Sequence, residues 1–86
     1  MGKYLTHSKE VVWRRIGDDI VIIKDGGIST YVLNKTASLI WEACDGYANI
    51  EKITSKICEC FEVSYEEAYA DVNATVNILT KANILK

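Results

Sequence analysis

The chain has 86 residues, of which 49% are hydrophobic and 26% charged, a composition that gives one small globular core and excludes wholesale disorder. No apolar run approaches the roughly 18 residues of a membrane span. The net charge of −2 is uneven: residues 1–43 carry +1, residues 44–86 carry −3, and no cation stands between Lys56 and Lys81. A nucleic-acid surface needs a cationic stripe, so this distribution argues against one.

The first third reads as β. Glu10–Ile16 carries Val11, Val12, Trp13 and Ile16, and Gly17-Asp18-Asp19 breaks it. Ile20–Lys24 is a β-branched run ended by Asp25-Gly26-Gly27, where Asp-Gly signals a hairpin because glycine accepts a positive φ. Ile28–Leu33 is the third run, and two short turns joining three strands predict an antiparallel meander. In the third strand Ile28, Thr30 and Val32 share one face, and Ser29, Tyr31 and Leu33 the other. Both faces therefore carry apolar groups. One must meet the helices, and the other meets a partner or is tolerated exposure.

The remainder reads as α. Asn34 is placed to cap a helix running to about Cys44, with Leu39, Ile40 and Ala43 inward, and Asp45-Gly46 is expected to stop it. Asn49 caps a second helix with Ile50, Ile53, Ile57 and Phe61 at helical spacing. Ser64 caps a third, and Glu67 three residues on completes a capping-box pattern. That helix runs from about Tyr65 to Lys81. Its stripe Tyr65, Tyr69, Val72, Val76 and Leu79 reads as core. Asp71, Thr75 and Ile78 fall together well off that stripe. They form either one wall of a groove or solvated surface.

Catalytic constellations are missing. Gly26-Gly27 lacks the further glycines and the helix of a nucleotide loop, and no nucleophile motif is present. His7 is the one histidine, in a terminus expected to fray with nothing to orient it. Cys58-x-Cys60, even with Cys44 and His7, does not have the spacing of a closed zinc site, so no metal or cofactor is expected. Three cysteines are an odd count, which reads as reduced thiols in a cytosolic setting, with Cys44 and one of the pair in the core. The polar N-terminus does not look like a secretory signal. What remains is a binding module rather than an enzyme.

Tyr31-Val32-Leu33-Asn34, then Ala37, Ile40-Trp41-Glu42 and Asp45-Gly46, resemble the signature of the PqqD-like family, also called the RiPP recognition element. Residues 50–61, Glu66-Glu67-Ala68 and Asp71-Val72 continue the match, which spans roughly residues 10–85 of one domain over 1–86. The family's prolines near the first strand are missing, and Ala82-Asn83 stand where members often carry glycine. The resemblance implies an α+β, winged-helix-like fold, a three-stranded antiparallel meander followed by three helices. It also implies a non-catalytic adaptor that binds the N-terminal leader of a ribosomally made precursor peptide and presents it to a modifying enzyme, such as a radical SAM protein, a leader protease or a cyclase. The leader adds as a strand beside Ile28, Ser29, Thr30, Tyr31, Val32 and Leu33. Glu67, Ala68, Asp71, Val72, Thr75 and Ile78 of the third helix form the opposite wall. Asp71 and Glu67 then predict a preference for a leader with Lys or Arg near that end.

Two other readings share these elements. A winged-helix DNA binder would need cations on a recognition helix, and here the third helix has none before Lys81. A plain interaction or dimerisation module would use the two-sided sheet.

Overall fold

The computed structural model describes residues 5–85. Three strands, β1 (Val11–Ile16), β2 (Asp19–Lys24) and β3 (Ser29–Leu33), form an antiparallel sheet in the order β1-β2-β3. Register is continuous, with Trp13 opposite Ile22 and Ile22 opposite Tyr31. Three helices follow, α1 (Lys35–Ala43), α2 (Ile50–Cys60) and α3 (Tyr65–Lys81). This is the α+β meander-then-helices architecture expected from the sequence. Two details differ. The third strand starts at Ser29, because Asp25, Gly26 and Gly27 take positive φ in a tight 3-10 turn whose closing residue is Ile28. Ile28 is therefore helical in backbone and 87% exposed, outside the strand.

Each helix begins where its cap residue predicts. Asn34 Oδ1 accepts from Ala37 N at 2.9 Å, Asn49 Oδ1 from Lys52 N at 3.0 Å and Ser64 Oγ from Glu67 N at 3.2 Å. Gly46 does not act as the left-handed cap of α1. The cap is Cys44, and Gly46, at φ +92°, turns its N–H onto the Leu5 carbonyl at 2.8 Å. At the far end Asn83 takes φ +60°, the conformation that Asn tolerates in place of glycine. Lys24 Nζ donates to the Ala82 carbonyl at 3.1 Å, tying β2 to the end of α3.

The core lies between the inner sheet face and the helices. Ile20 and Ile22 of β2, Ile40 and Trp41 of α1, Ile53 and Ile57 of α2, and Val72 and Leu79 of α3 are buried together. Burying such a side chain is worth about 1.5–3 kcal/mol each, which is the main force holding the two layers. On α3 the buried positions are Ala68, Val72, Val76 and Leu79. The sequence stripe placed Tyr65 and Tyr69 there, but they stand 48% and 41% exposed with their rings stacked on each other. The methyl of Ala68 takes the core position instead, and a small side chain there lets the helix approach closely.

The N-terminal segment also departs from expectation. It is pinned rather than frayed: Leu5 N donates to the Ala48 carbonyl at 3.1 Å and Ser8 N to the Ile84 carbonyl at 3.0 Å, with bridges Thr6–Asp45 and His7–Leu85. The His7 ring lies flat on Trp41 at 3.6 Å between centroids, its Nε2 is 2.6 Å from the Trp41 carbonyl, and Trp13 meets both rings edge-on. Trp13 thus belongs to the inner face of the sheet, a choice its sequence position left open.

Candidate functional site

β3 pairs with β2 on one side and, among the described residues, has no strand on the other. An edge of this kind presents N–H and C=O groups ready to pair with an extended chain. Its side chains alternate as expected: Leu33 is buried, Ser29 and Tyr31 are half-buried, and Thr30 and Val32 are exposed. The Leu33 carbonyl already accepts from the buried Ser38 Oγ at 3.0 Å, which anchors the strand where it turns into α1.

At that end of β3 a cavity of about 290 Å³ opens between the first turn of α1 and α3, lined by Asn34, Thr36, Ala37, Asp71, Ala74, Thr75 and Ile78. The shoulder of α3 singled out from the sequence, Asp71, Thr75 and Ile78, is therefore gathered in one hollow beside the end of the open edge. Ile78 is 66% exposed and supplies an apolar surface, Thr36 and Thr75 bring hydroxyls, and Asp71 brings a carboxylate with no ion pair among the described residues. Such a hollow suits a side chain with an apolar stem and a polar or cationic head.

Other expected wall residues are placed differently. Ala68 and Val72 are fully buried, so their side chains face the core and cannot touch a peptide in the groove. They share the helix with the shoulder but lie about 50–90° round from its centre, at the 100° per residue of an α-helix. Glu67 is exposed one turn before Asp71 but does not line the cavity. Ile28 is exposed on the turn before the strand. The sequence reading missed Asn34, Thr36, Ala37 and Ala74 as lining residues. A signal was available: a helix cap immediately following an edge strand forces the first turn of that helix to border the strand's end.

The three thiols occupy graded environments, with Cys44 buried, Cys58 half-buried and Cys60 exposed. Burial pushes the Cys44 thiol up to about 12, with the neighbouring Asp45 charge adding to it. Its Sγ donates to the Ile40 carbonyl at 3.1 Å, so it behaves as a small core group rather than a nucleophile. No helix among the described residues is long and apolar enough to cross a membrane.

An antiparallel meander whose third strand is an edge, backed by helices that form a hollow at the end of that edge, defines a small winged-helix-like α+β domain. The chain belongs to the coenzyme PQQ synthesis protein D (PqqD) family, whose family model matches residues 19–85. Two solved structures share the fold. TbiB1 in complex with the TbiA(beta) leader peptide is 23% identical, with a TM-score of 0.85 over 94% of each chain. Lasso peptide synthetase B1 complexed with the leader peptide is 19% identical, with a TM-score of 0.84 over 96% of this chain and 98% of that one. No curated protein sequence matches the chain.

Proposed function

We infer that this protein is a non-catalytic adaptor. It captures the leader of a ribosomally synthesised precursor peptide as a fourth strand beside β3 and presents the rest of the peptide to a modifying enzyme. The observation that carries this reading is the open β3 edge leading into the hollow of Asp71, Thr75 and Ile78. The leader peptides in the two fold neighbours support it. Backbone groups of Ser29 to Leu33 supply sequence-tolerant affinity, as in other strand additions. Selectivity comes from side chains, with Val32 and Thr30 on one face of the added strand and Asp71, Thr75 and Ile78 meeting the other. Ala68 and Val72 contribute by holding α3 at the right distance from the sheet. Glu67 and Asp71 together favour a Lys or Arg in the leader, because an unpaired carboxylate beside an apolar groove is complementary to a long cationic side chain. A DNA-binding role is disfavoured by the same helix, which carries Glu66, Glu67 and Asp71 and no cation before Lys81.

An amide NMR titration tests the reading, using ¹⁵N-labelled protein and the leader of any small precursor peptide encoded beside its gene. Saturable shifts confined to residues 28–34 and the 71/75/78 face of α3 are the expected result. Shifts spread over the acidic face without saturation, or none at all, would remove the strand-addition reading. Asp71→Lys should abolish binding of a cationic leader, whereas Lys52→Glu, on the exposed side of α2, should leave it intact.

A further inference from the structure

The outer face of the sheet, opposite the helices, is unusually bare. Its side chains form three rows across the strands: Val12, Ile23 and Thr30; then Arg14, Val21 and Val32; then Ile16 beside Asp19. Val12 is 70% exposed, Val32 68%, Ile16 60% and Ile23 39%. Together with the exposed part of Val21 they make an apolar patch on the order of 400–500 Å², near the upper end for one contiguous patch on a monomer. The polar residues added, the whole face approaches the roughly 800 Å² per partner of a standard interface.

The shape of the face is uneven. Its β1–β2 side holds a hollow of about 350 Å³ lined by Val12, Trp13, Arg14, Ile16, Val21 and Ile23. Its β3 side carries the projecting Val32, which is not part of that lining. Charge is uneven in a matching way. Arg15, on the inner face, is paired with Glu42, whereas Arg14 and Asp19 on the outer face have no ion pair among the described residues. A face that carries both a hollow and a knob, and both a cation and an anion, is complementary to itself.

We propose that this face binds a second copy of the chain, sheet against sheet, in a two-fold dimer. An axis running along the strands above β2 lays β1 of one copy over β3 of the other. Val32 of each copy then enters the hollow of the other, and Arg14 of each comes within one row of the second copy's Asp19. Sheets stacked this way sit about 10 Å apart, so side chains of the two inner rows interdigitate. The contact is isologous, so it closes at two copies and leaves no face for a third. It leaves the backbone edge of β3 and the hollow beside α3 free and shares only Val32 and Thr30 with the proposed leader surface, so a dimer would carry two leader sites pointing away from each other.

Sedimentation velocity of the intact chain from about 5 to 500 µM, a range that spans weak to moderate dimers, tests the proposal. The wild type should move from monomer to dimer across the range. Val12→Lys places a charge in the hollow at an exposed position and should hold the protein at the monomer value throughout, with an unchanged thermal unfolding midpoint. Arg14→Asp and Asp19→Arg should each weaken the dimer about tenfold, and the double exchange should recover most of the loss, as a pairwise coupling requires. A wild type that stays monomeric to the top of the range would overturn the proposal and leave the face to a different protein partner. A dimer that ignores Val12→Lys would overturn it too, by placing the contact elsewhere.

Discussion

β1 and β3 are the two edge strands of one sheet, and among the described residues each leaves a row of backbone groups without a strand partner. β1 is the longer, at six residues against five, and reads VVWRRI against STYVL. By backbone chemistry alone, either edge offers the same pairing to an extended chain. They differ in what stands beside them. β1 meets the rest of the core through inward side chains, among them Val11 at the core's margin, Trp13 against Trp41 and Arg15 against Glu42. β3 runs directly into the α1 cap, and at that junction α1 and α3 enclose the hollow of Asp71, Thr75 and Ile78. An edge becomes selective only where side chains of another element can read what is added to it. Consecutive Arg14 and Arg15 also guard β1 against pairing, since charges on an edge disfavour addition of another strand.

The largest effect should come from removing what both edges rest on. Trp41 is fully buried beneath His7 and Trp13, so Trp41→Ala should cost about 3–5 kcal/mol. In a domain of this size that corresponds to a fall in unfolding midpoint of roughly 15–30 °C, measured by circular dichroism. Leader binding should vanish with the fold. Trp41→Phe should cost much less, because the buried indole N–H has no hydrogen-bond partner among the described residues and little is lost with it. A small loss for the alanine variant would mean that the inner face does not support the sheet as described.

Cys44 reports on the same interior through pH. Its thiol sits near 9.0 when unperturbed and is pushed up to about 12 in the fold. Below about pH 8 both folded and unfolded chains keep the proton, so Cys44 adds no pH dependence there. Above that, the unfolded chain loses its proton while the folded one retains it. Stability should therefore fall as pH rises from about 9 toward 12, by up to roughly 1.4 kcal/mol per unit. Cys44→Ala should flatten that limb of a stability-against-pH curve relative to Cys60→Ala, whose thiol is exposed. Equal slopes for the two variants would show that the interior admits water at the end of α1.

Much of this comparison was legible in the amino-acid order. The three strands follow from β-branched runs cut by Gly17 and Asp25-Gly26-Gly27, and the helix starts from Asn34, Asn49 and Ser64, because turns and caps depend on local backbone geometry. The Asp71, Thr75 and Ile78 shoulder was visible for the same reason, as an angle on one helix. What was not legible depends on contacts between distant segments. His7 is oriented by Trp41, 34 residues away, and Gly46 by Leu5, 41 residues earlier in the chain. Tyr65 and Tyr69 satisfy helical periodicity as well as Ala68 does, and only the closeness of α3 to the rest of the core selects the methyl over the rings. The lining by Thr36 and Ala74 needs α1 and α3 side by side, which no single stretch encodes.

The two edges are separated most directly by proline, which removes one N–H and pre-sets φ. Neighbouring residues of an edge strand point their N–H groups to opposite sides, so one of Thr30→Pro and Tyr31→Pro strikes the open edge and the other the β2 ladder. The open-edge variant should keep its unfolding midpoint while leader affinity falls at least tenfold, about the loss of one backbone hydrogen bond plus its geometric consequences. The ladder variant should lose stability instead. The same pair of substitutions at Arg14 and Arg15 of β1 should include one that leaves both affinity and stability nearly unchanged. Isothermal titration calorimetry beside thermal unfolding distinguishes the four cases, and equal loss of binding from open-edge prolines on both strands would abolish the distinction drawn between them.

The smallest effect belongs to the charges that tune the hollow. Asp71→Asn keeps the shape of the side chain and removes its charge, and Glu67→Gln does the same one helical turn away. Asp71 lines the cavity and Glu67 does not, so neutralising Asp71 should weaken a leader carrying Lys or Arg about three- to tenfold, and neutralising Glu67 less than threefold. Both groups are exposed, so both losses should shrink as salt rises, because the Debye length falls to roughly 3 Å at 1 M. Replacing the leader's cation by leucine should erase the Asp71→Asn effect while leaving the response to the β3 proline intact. That pairing separates what the backbone edge contributes from what the α3 shoulder contributes. If Asp71→Asn acts equally on the leucine leader, the carboxylate shapes the hollow rather than reading charge, and selectivity at this end rests on Ile78 and the two threonines instead.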